Sequence, residues 1–474
     1  MKTVILSVNS RYIHTLLAPR YLKANSRGFD VEVMETNVNI RPFDVISELY
    51  RRRPDVVAIS CYIFNIEYLK ALLPEIRTLM PHIRIILGGY EALPELSNLC
   101  DFIVRGEGDL VFRQILKDIA EGKSALPKII DAGYVEDLDR IASPFDEEYC
   151  LMGKDRILYM ETSRGCPFSC SYCMSAGTPG VRAFSLERVF SDIDFVMKFS
   201  PRQIKFVDRT FNYDMKRAAK IFSYLIERYS GSGTNFHFEM TPELFDERLF
   251  EVLRQAQPGL FQFEIGIQSF NEQTLKGVKR HYELKRAEEN IKRLIQTGNI
   301  HIHADLIAGL PFEDLESFKE GFDRLMEARP HCLQLGFLKI LKGSGIEQMK
   351  DCYAVQNRAP YEIYGSKWLS FDDILELKEV EDMLNLYYNS GRFKKSIGLL
   401  LGKFPPYGLF YALAQFYKKR GAHRKNLSAK AHCDMLYAFA ESAFSQDRDF
   451  LEQLKEYINE DYLSSGNLRK WIRD

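Results

Sequence analysis

The sequence predicts an α/β chain made of a Rossmann-like parallel sheet, a partial (β/α)6 barrel and a mostly helical carboxyl-terminal domain. Short runs rich in β-branched residues alternate with helical patterns about five times before residue 120, and about six times more between residues 158 and 345. After Gly345 the strand pattern ends and helical segments with interleaved Tyr and Phe follow. Alternating strands and helices are typical of parallel sheets covered by helices.

The first domain is predicted over residues 1–120. Its strands are expected at 2–8, 29–35, 55–62, 84–87 and 101–104. Its helices are expected at 15–26, 42–53, 66–80 and 91–99. Ligands of such sheets bind beyond the carboxyl ends of the strands. The first turn lacks the GxGxxG pattern, which argues against a dinucleotide cofactor.

The second domain is predicted over residues 158–345, after a linker at 121–157 that is interrupted by glycine and proline. Its strands are expected at 158–162, 203–207, 235–240, 260–267, 301–308 and 333–340. Its helices are expected at 185–199, 215–229, 245–256, 284–297 and 315–328. The active site of such a barrel lies at the carboxyl ends of the strands. The third domain, residues 346–474, is expected to be helical at 372–388, 391–401, 405–419 and 428–459.

A cysteine motif, ETSRGCPFSCSYCM, follows the first strand of the predicted barrel at residues 161–174. Cys166, Cys170 and Cys173 have the spacing CxxxCxxC, and Gly165 with Pro167 suits a tight loop. A four-iron, four-sulfur cluster normally takes four cysteines. Three local ligands therefore predict a cluster with one iron open to a chelating small molecule. The alternatives are a zinc site, which usually needs a second ligand pair, and three structural thiols.

This motif, with Tyr172 before its last cysteine, resembles the signature of radical S-adenosylmethionine (radical SAM) enzymes. The flanking sequence resembles the branch that carries an amino-terminal cobalamin-binding domain, and the likeness extends from Met1 to about Lys342. The third domain resembles an uncharacterised domain found behind such enzymes. The resemblance implies three cofactors: a four-iron, four-sulfur cluster on the three cysteines, S-adenosylmethionine and cobalamin.

The resemblance also implies contacts with S-adenosylmethionine. Glu239 and Gln268 are expected to contact the ribose or the methionine part, and Tyr172 the adenine through its backbone. Asp208 is a further candidate, although it is also explained as a substrate-facing or salt-bridged residue. Each of these residues alone is equally explained as a polar group at the end of a strand.

Contacts with cobalamin are expected at the carboxyl ends of the first, third, fourth and fifth strands of the first domain. The candidates are Ser10, Arg11, Tyr12, His14, Ser60, Tyr62, Asn65, Gly88, Gly89, Tyr90 and Glu107. The DxHxxG pattern, whose histidine binds cobalt from below in many cobalamin domains, is absent. His14 lacks that context and is more simply a hydrogen-bonding loop residue. Gly88 and Gly89 either admit a bulky ligand or end a strand.

For the activity, the resemblance implies that reductive cleavage of S-adenosylmethionine yields a 5′-deoxyadenosyl radical. The reaction favoured is methylation of an unactivated carbon through methylcobalamin. The alternatives are cyclisation, ring rearrangement or redox chemistry without net methyl transfer, and a non-catalytic redox or cobalamin sensor. A reduced flavodoxin or ferredoxin is the implied electron donor.

The composition limits the classes of binding partner and the cell compartment that are expected for this protein. The formal net charge is −1, which does not favour nucleic acid as a partner. No run approaches the ~18–20 apolar residues of a membrane span. The six cysteines outside the motif are scattered, which is typical of reduced thiols. The sequence therefore predicts a soluble cytoplasmic protein, but it contains no pattern that identifies the substrate.

Overall fold

A parallel sheet of six strands begins the chain in the computed structural model, which describes residues 1–123, 127–281, 283–466 and 471. Its strands are β1 (Lys2–Asn9), β2 (Asp30–Asn37), β3 (Val56–Ser60), β4 (Arg84–Gly88), β5 (Phe102–Arg105) and β6 (Ile129–Asp131). Their order is β2-β1-β3-β4-β5-β6, with parallel neighbours throughout. The direction of winding reverses between β1 and β3, and ligands of doubly wound sheets bind at such a reversal.

Helices cover both faces of this sheet. They are α1 (Leu17–Ala24), α2 (Pro42–Arg52), α3 (Ile66–Leu79) and α4 (Val111–Ala120). Alternate residues of β1 join two separate apolar cores: Val4 packs with α2 and α3, and Ile5 packs with α4. Burial on both faces is the reason that the strands read as continuous apolar runs. The predicted Rossmann-like domain is confirmed.

Three local predictions in this region were incomplete or wrong. The helix expected at 91–99 is absent, and that segment has only a short 3-10 turn at Pro94–Leu96. Pro94 is at the first position of this turn, where proline is accepted, and Leu96 is buried without a longer helix. Helix α4 was not predicted. The segment predicted as a linker contains β6 and a short helix, α5 (Glu147–Leu151). The domain boundaries at 120, 157 and 345 remain predictions.

A second six-stranded sheet follows, with a helix after most strands. Its strands are β7 (Leu158–Met160), β10 (Gln203–Phe206), β11 (Asn235–Met240), β12 (Phe261–Gln268), β13 (His301–Ala308) and β14 (Cys332–Phe337). They lie in sequential order, β14-β13-β12-β11-β10-β7. A two-stranded ribbon, β8 (Ser163–Arg164) with β9 (Arg182–Ala183), follows β7. The helices are α6 (Leu186–Met197), α7 (Met215–Tyr229), α8 (Glu247–Leu253), α9 (Glu272–Gly277), α10 (Leu284–Gln296) and α11 (Leu315–Glu327). The six predicted strands of the partial barrel and the helices predicted between them are confirmed, and α9 is additional.

By its internal contacts the chain forms two units, and the division falls within β12. The first unit comprises Met1–Phe168, Ser175–Phe263 and Gln356–Tyr361, and the second comprises Ser169–Met174, Glu264–Val355 and Glu362–Asp474. In the first unit, Phe206 and Phe238 stack at 4.5 Å between ring centroids beneath α7. Aromatic packing of this kind fixes the early strands of the barrel.

The carboxyl-terminal region belongs mainly to the second unit. It contains β15 (Tyr353–Val355), β16 (Ile363–Ser366), α12 (Phe371–Leu384), α13 (Lys394–Leu400), α14 (Pro406–Lys419), α15 (Ala429–Phe444) and α16 (Arg448–Ser464). The predicted helical segments are found, with the last one divided into α15 and α16. Among the described residues, no helix combines the length and apolar character that crossing a bilayer requires.

Candidate radical SAM and cobalamin sites

The cysteine loop begins at a glycine that no other residue could replace without strain. Gly165 has φ +95°, and a Cβ atom there would collide with the carbonyl oxygen of Gly180. The β8–β9 ribbon causes this close approach, because Gly165 and Gly180 lie just beyond its paired residues. Cys166 comes next, and its Sγ lies 3.5 Å from the hydroxyl of Thr210, which follows β10.

The other two cysteines lie in the second unit, on a turn in which the backbone N–H of Cys173 donates to the carbonyl of Cys170 at 3.0 Å. The residue between them, Ser171, is held on both sides. Its N–H donates to the carbonyl of Val278 at 2.8 Å, and its carbonyl accepts from the N–H of Ile346 at 2.7 Å. The turn is therefore fixed by α9 and by the segment after β14.

Arg280 is a site residue that the sequence analysis missed. Its Nη1 lies 3.8 Å from the Sγ of Cys170 and 3.2 Å from the hydroxyl of Tyr172, and its Nη2 donates to the carbonyl of Gly266 at 2.5 Å. Burial raises the pKa of the Cys170 thiol, and the guanidinium of Arg280 acts in the opposite direction. Nothing in the local sequence around Arg280 indicates this contact, since it joins residues 110 positions apart.

Gln268 ends β12 in a strained conformation. Its φ is +75°, which is rare for a residue with a side chain, and its buried Oε1 has no hydrogen-bond partner among the described residues. Gly266 lies beneath it, because a Cβ there would collide with the amide of Gln268. A strained residue with an unpaired buried oxygen is typical of a ligand site.

Asp208, in contrast, is fully engaged by the protein. Its carboxylate accepts from the N–H of Thr162 at 2.9 Å, from the hydroxyl of Thr162 at 2.7 Å and from the hydroxyl of Ser163 at 2.6 Å. These bonds fix the chain between β7 and Gly165, so a positioning role explains Asp208 better than contact with S-adenosylmethionine. Glu239 is half-buried on β11, near its carboxyl end.

At the carboxyl edge of the first sheet, large apolar side chains are exposed. The exposed fractions are 59% for Tyr12, 41% for Ile13, 39% for Phe64 and 52% for Tyr90. They follow β1, β3 and β4, around the reversal of winding. Gly89 in the same edge has φ +94°, and a Cβ there would lie 2.6 Å from the carbonyl oxygen of Cys61. A macrocyclic ligand with apolar faces would cover these side chains.

Some of the predicted cobalamin residues have hydrogen-bond partners within the protein. Asn65 is completely buried and bonds to the backbone of Val8, Ser60 and Tyr62. His14 pairs its Nδ1 with the hydroxyl of Tyr159 at 2.7 Å.

The other predicted cobalamin residues differ in their partners and in their burial. Glu107 forms ion pairs with two arginines, Arg182 and Arg164. Ser60 is buried at the end of β3, whereas Ser10 and Arg11 lie at the open edge after β1.

The residues present fit the expected cofactors. A hydroxyl and a guanidinium lie near the sulfurs of Cys166 and Cys170, and hydrogen bonds to sulfur are among the features that tune iron–sulfur clusters. All three thiols are free of disulfides. Within the described part of the chain, no group of three or more His, Cys, Asp or Glu side chains is arranged around a single metal ion. A four-iron cube gives each thiolate its own iron atom, so the thiolates need not converge on one point.

Comparison with known families agrees with this geometry. The radical SAM superfamily model matches residues 160–325, and the B12 binding domain model matches residues 4–116. A domain of unknown function, DUF4080, matches residues 352–473. The sheet, the barrel and the cysteine loop define a radical SAM protein with a B12 binding domain.

The chain combines a radical SAM domain with a B12 binding domain and DUF4080, and it is similar to cobalamin-dependent radical SAM enzymes. It is 25% identical over 318 residues to the cobalamin-dependent radical SAM methyltransferase TokK of Streptomyces tokunonensis, a match that covers 59% of this chain and 46% of TokK. It is 24% identical over 346 residues to the anaerobic magnesium-protoporphyrin IX monomethyl ester cyclase of Rubrivivax gelatinosus, covering 65% of this chain and 61% of the cyclase. The chain thus spans about half the length of TokK.

Among solved structures, the fold resembles that of OxsB, a cobalamin-dependent S-adenosylmethionine radical enzyme solved with aqua-cobalamin bound. The TM-score is 0.64 at 14% identity, and the match covers 98% of this chain and 80% of OxsB. At this identity the likeness shows the fold alone.

Proposed function

We propose that this protein is a cobalamin-dependent radical SAM methyltransferase that acts on an unactivated carbon. The observation that carries the proposal is the CxxxCxxC loop, free of disulfides and with a guanidinium donor on the sulfur of Cys170, in a chain that also has a B12 binding domain. When bound, the cluster and S-adenosylmethionine supply a 5′-deoxyadenosyl radical, and methylcobalamin supplies the methyl group. The name of TokK supports the choice of methyl transfer.

In this proposal the protein's own residues bind and orient. Cys166, Cys170 and Cys173 hold the cluster, and Arg280 donates to the sulfur of Cys170. Gln268 presents its unpaired oxygen to a hydroxyl or ammonium donor of S-adenosylmethionine, and Glu239 adds a carboxylate. Tyr172 contacts adenine through its backbone.

The exposed ring of Tyr12 and the other apolar side chains at the edge of the first sheet cover one side of the corrin. Their burial beneath the ligand would exclude water from the reacting face.

The test uses anaerobically reconstituted protein, reduced, loaded with cobalamin and supplied with S-adenosylmethionine that carries a deuterated methyl group. We expect deuterated methylcobalamin and S-adenosylhomocysteine to form, and 5′-deoxyadenosine to appear slowly even without substrate. Cys170→Ala should lose the 5′-deoxyadenosine while keeping the cobalamin absorbance. Formation of 5′-deoxyadenosine without any S-adenosylhomocysteine would contradict methyl transfer.

A second candidate is ring closure or another radical reaction without net methyl transfer. The similarity to the Rubrivivax gelatinosus cyclase favours it, since that match covers slightly more of this chain than the match to TokK. The deuterium experiment separates the two. A cyclase would consume S-adenosylmethionine to 5′-deoxyadenosine, and its product would contain no deuterated methyl group.

The electron donor is proposed to be a reduced flavodoxin or ferredoxin. Such donors are acidic, and the second unit presents exposed basic residues at Lys419, Arg424 and Lys425. Docking by opposite charges accelerates association at low ionic strength. The rate of cluster reduction by a flavodoxin should therefore fall as salt is added, whereas reduction by dithionite should change little.

A further inference from the structure

Arg164, two residues before Cys166, lies at the centre of a buried group of charges in the first unit. Its side chain is only 14% exposed. It donates to Asp109 at 2.8 Å and to Glu161 at 2.7 Å, and it approaches Glu107 at 3.4 Å. The sequence alone gave no reason to assign this arginine a role, because most arginines are solvated.

A second arginine, on the opposite strand of the ribbon, reaches one of these carboxylates, Glu107. Arg182 pairs with Arg164 across the ribbon and donates to both oxygens of Glu107, at 2.6 and 2.8 Å. It also donates to the carbonyl of Val135 at 2.5 Å, and the N–H of Val135 donates to Glu107 at 2.8 Å. We name the five charged residues the ribbon ion cluster: Arg164, Arg182, Glu107, Asp109 and Glu161.

The ribbon ion cluster connects the carboxyl edge of the first sheet with the chain that enters Cys166. Glu107 and Asp109 follow β5, at the carboxyl edge of the first sheet where cobalamin is expected. Tyr62, which follows β3 at the same edge, lies within electrostatic reach of Asp109. At the other end, Arg164 is separated from Cys166 only by Gly165.

Stability alone is a poor explanation for this arrangement. Two cations and three carboxylates are removed from water here, and buried ion pairs are often no more stabilising than apolar residues of the same volume. Bidentate guanidinium–carboxylate bonds do fix orientation, because the planar fork accepts only a narrow range of geometries. The ribbon ion cluster is therefore suited to holding the ribbon in one position relative to β5.

We propose that Arg164 and Arg182 are positioning residues that hold the chain entering Cys166 against the cobalamin edge of the first sheet, so that cobalamin binding and the order of the cysteine loop are coupled. The proposal rests on the proposed function in one respect, which is that a corrinoid binds at this edge. Coupling of this kind is reciprocal: a ligand that orders the edge orders the loop, and a fixed loop strengthens binding at the edge.

The test follows the reactivity of Cys166 in protein free of iron. N-ethylmaleimide labels Cys166, peptide mass spectrometry measures the rate, and Cys352 in the same sample is the reference thiol. Methylcobalamin, added in the dark, is the probe. In the wild type we expect methylcobalamin to slow the labelling of Cys166 by about fivefold or more, the lower end of typical coupling. In Arg164→Gln, labelling should be faster without methylcobalamin and should not respond to it.

Arg20→Gln is the matched control. Arg20 is also buried in the first unit and bridges Glu35 at 2.9 Å and Glu148 at 3.0 Å, but it has no contact with the ribbon ion cluster. It should lose stability and keep the response to methylcobalamin. Loss of the response in both variants would overturn the proposal, because general loosening would then explain it.

The remaining outcomes are also decisive. Protection that persists in Arg164→Gln would mean that the corrinoid shields Cys166 directly, and it would overturn the coupling. If Arg164→Gln fails to fold, Arg164→Lys should show a partial loss of response, because the ammonium keeps the charge but cannot replace the planar fork. If the wild type does not bind methylcobalamin, as judged by absorbance after gel filtration, the cobalamin part of the proposed function fails. The comparison of labelling rates without methylcobalamin still decides whether Arg164 positions the loop.

Discussion

At the scale of single residues, Gln268 combines strain with an unpaired polar atom, and both should disappear in Gln268→Gly. Glycine adopts φ +75° without cost and removes the buried Oε1. We expect the cofactor-free variant to be more stable than the wild type by about 1 kcal/mol in urea unfolding. The reconstituted variant should bind S-adenosylmethionine more weakly in isothermal titration calorimetry.

Arg329→Gly is the control for this prediction. Arg329 also has a left-handed backbone, with φ +53°, but it is exposed after the end of α11, where glycine is the preferred residue. The variant should gain about 0.5–1 kcal/mol without any change in S-adenosylmethionine binding. A Gln268→Gly variant less stable than the wild type would contradict the prediction, because it would show that the conformation of Gln268 does not lower the stability of the cofactor-free protein.

Glu313 is a buried carboxyl group with a pH-dependent effect on stability. It is 1% exposed, accepts from the hydroxyl of Ser269 at 2.5 Å and has a second oxygen without a partner among the described residues. Burial raises its pKa to about 7. In the unfolded chain the pKa is about 4.3, so the unfolded state releases its proton first as pH rises. The free energy of unfolding should therefore fall by about 3 kcal/mol between pH ~4 and pH ~8 because of this group.

The measurement is urea unfolding of the cofactor-free protein over a series of pH values. Glu313→Gln cannot ionise, so the difference in stability between the wild type and this variant should shift towards the variant as pH rises. Asp246→Asn, at the N-cap of α8 and away from Glu313 in the chain, should leave that pH dependence in place. A difference that stays constant with pH would show that Glu313 ionises normally in the folded protein.

At the scale of elements, the sequence predicted the strands and helices whose apolar residues recur with a regular period. Strands such as β1 and β12 were found because burial on one or both faces leaves runs or alternations of apolar residues. Segment 91–99 has apolar spacing that fits a helix, but it forms only a short turn at Pro94–Leu96. Helix α4 was overlooked, although Phe112, Ile115 and Leu116 have helical spacing and are buried. Spacing alone does not distinguish these cases.

Asp208 should anchor the strand that leads to the cysteine loop. Asp208→Ala leaves the N–H of Thr162 and two hydroxyls in a buried place without an acceptor. We expect a loss of about 3 kcal/mol in urea unfolding of the cofactor-free protein, since each unsatisfied buried donor is costly. Iron retained after reconstitution, measured by a ferrozine assay, should fall as well, because Gly165 and Cys166 follow this anchor.

Asp214→Ala tests whether the loss of iron is specific. Asp214 is the N-cap of α7 and accepts from the N–H of Lys216 at 2.9 Å, in the same unit but on an exposed surface. It should cost about 1 kcal/mol and leave the iron content unchanged. Normal iron retention in Asp208→Ala would return Asp208 to its predicted role as a ligand contact.

At the scale of the whole molecule, the cofactor ligands were predictable and the residues that support them were not. Cys166, Cys170 and Cys173 lie within eight positions, so their spacing alone predicts that they bind an iron–sulfur cluster. Arg280 and Asp109 contact the cysteine motif from 110 and 55 positions away, and only the folded chain brings them there. Hydrogen bonds and ion pairs between distant positions have no local signature in a single sequence.

The carboxyl-terminal domain has a structural role in the second unit that can be tested without knowing the substrate. Strand β14 is the last strand of its sheet, and Asn389, after α12, occupies the free edge: its side chain accepts from the N–H of Leu333 at 2.9 Å and donates to the carbonyl of Leu333 at 2.8 Å. An unprotected edge strand is a template for pairing with another chain. Asn389→Ala should therefore lose about 2 kcal/mol of stability, at about 1 kcal/mol for each hydrogen bond, and should aggregate faster on mild heating as followed by light scattering.

Asn459→Ala is the control for this prediction. It removes a side-chain bond to the carbonyl of Lys455 within α16, away from β14, and should change neither the stability nor the aggregation rate measurably. Equal aggregation of the two variants would mean that DUF4080 does not protect the sheet and that its contribution to this protein lies elsewhere.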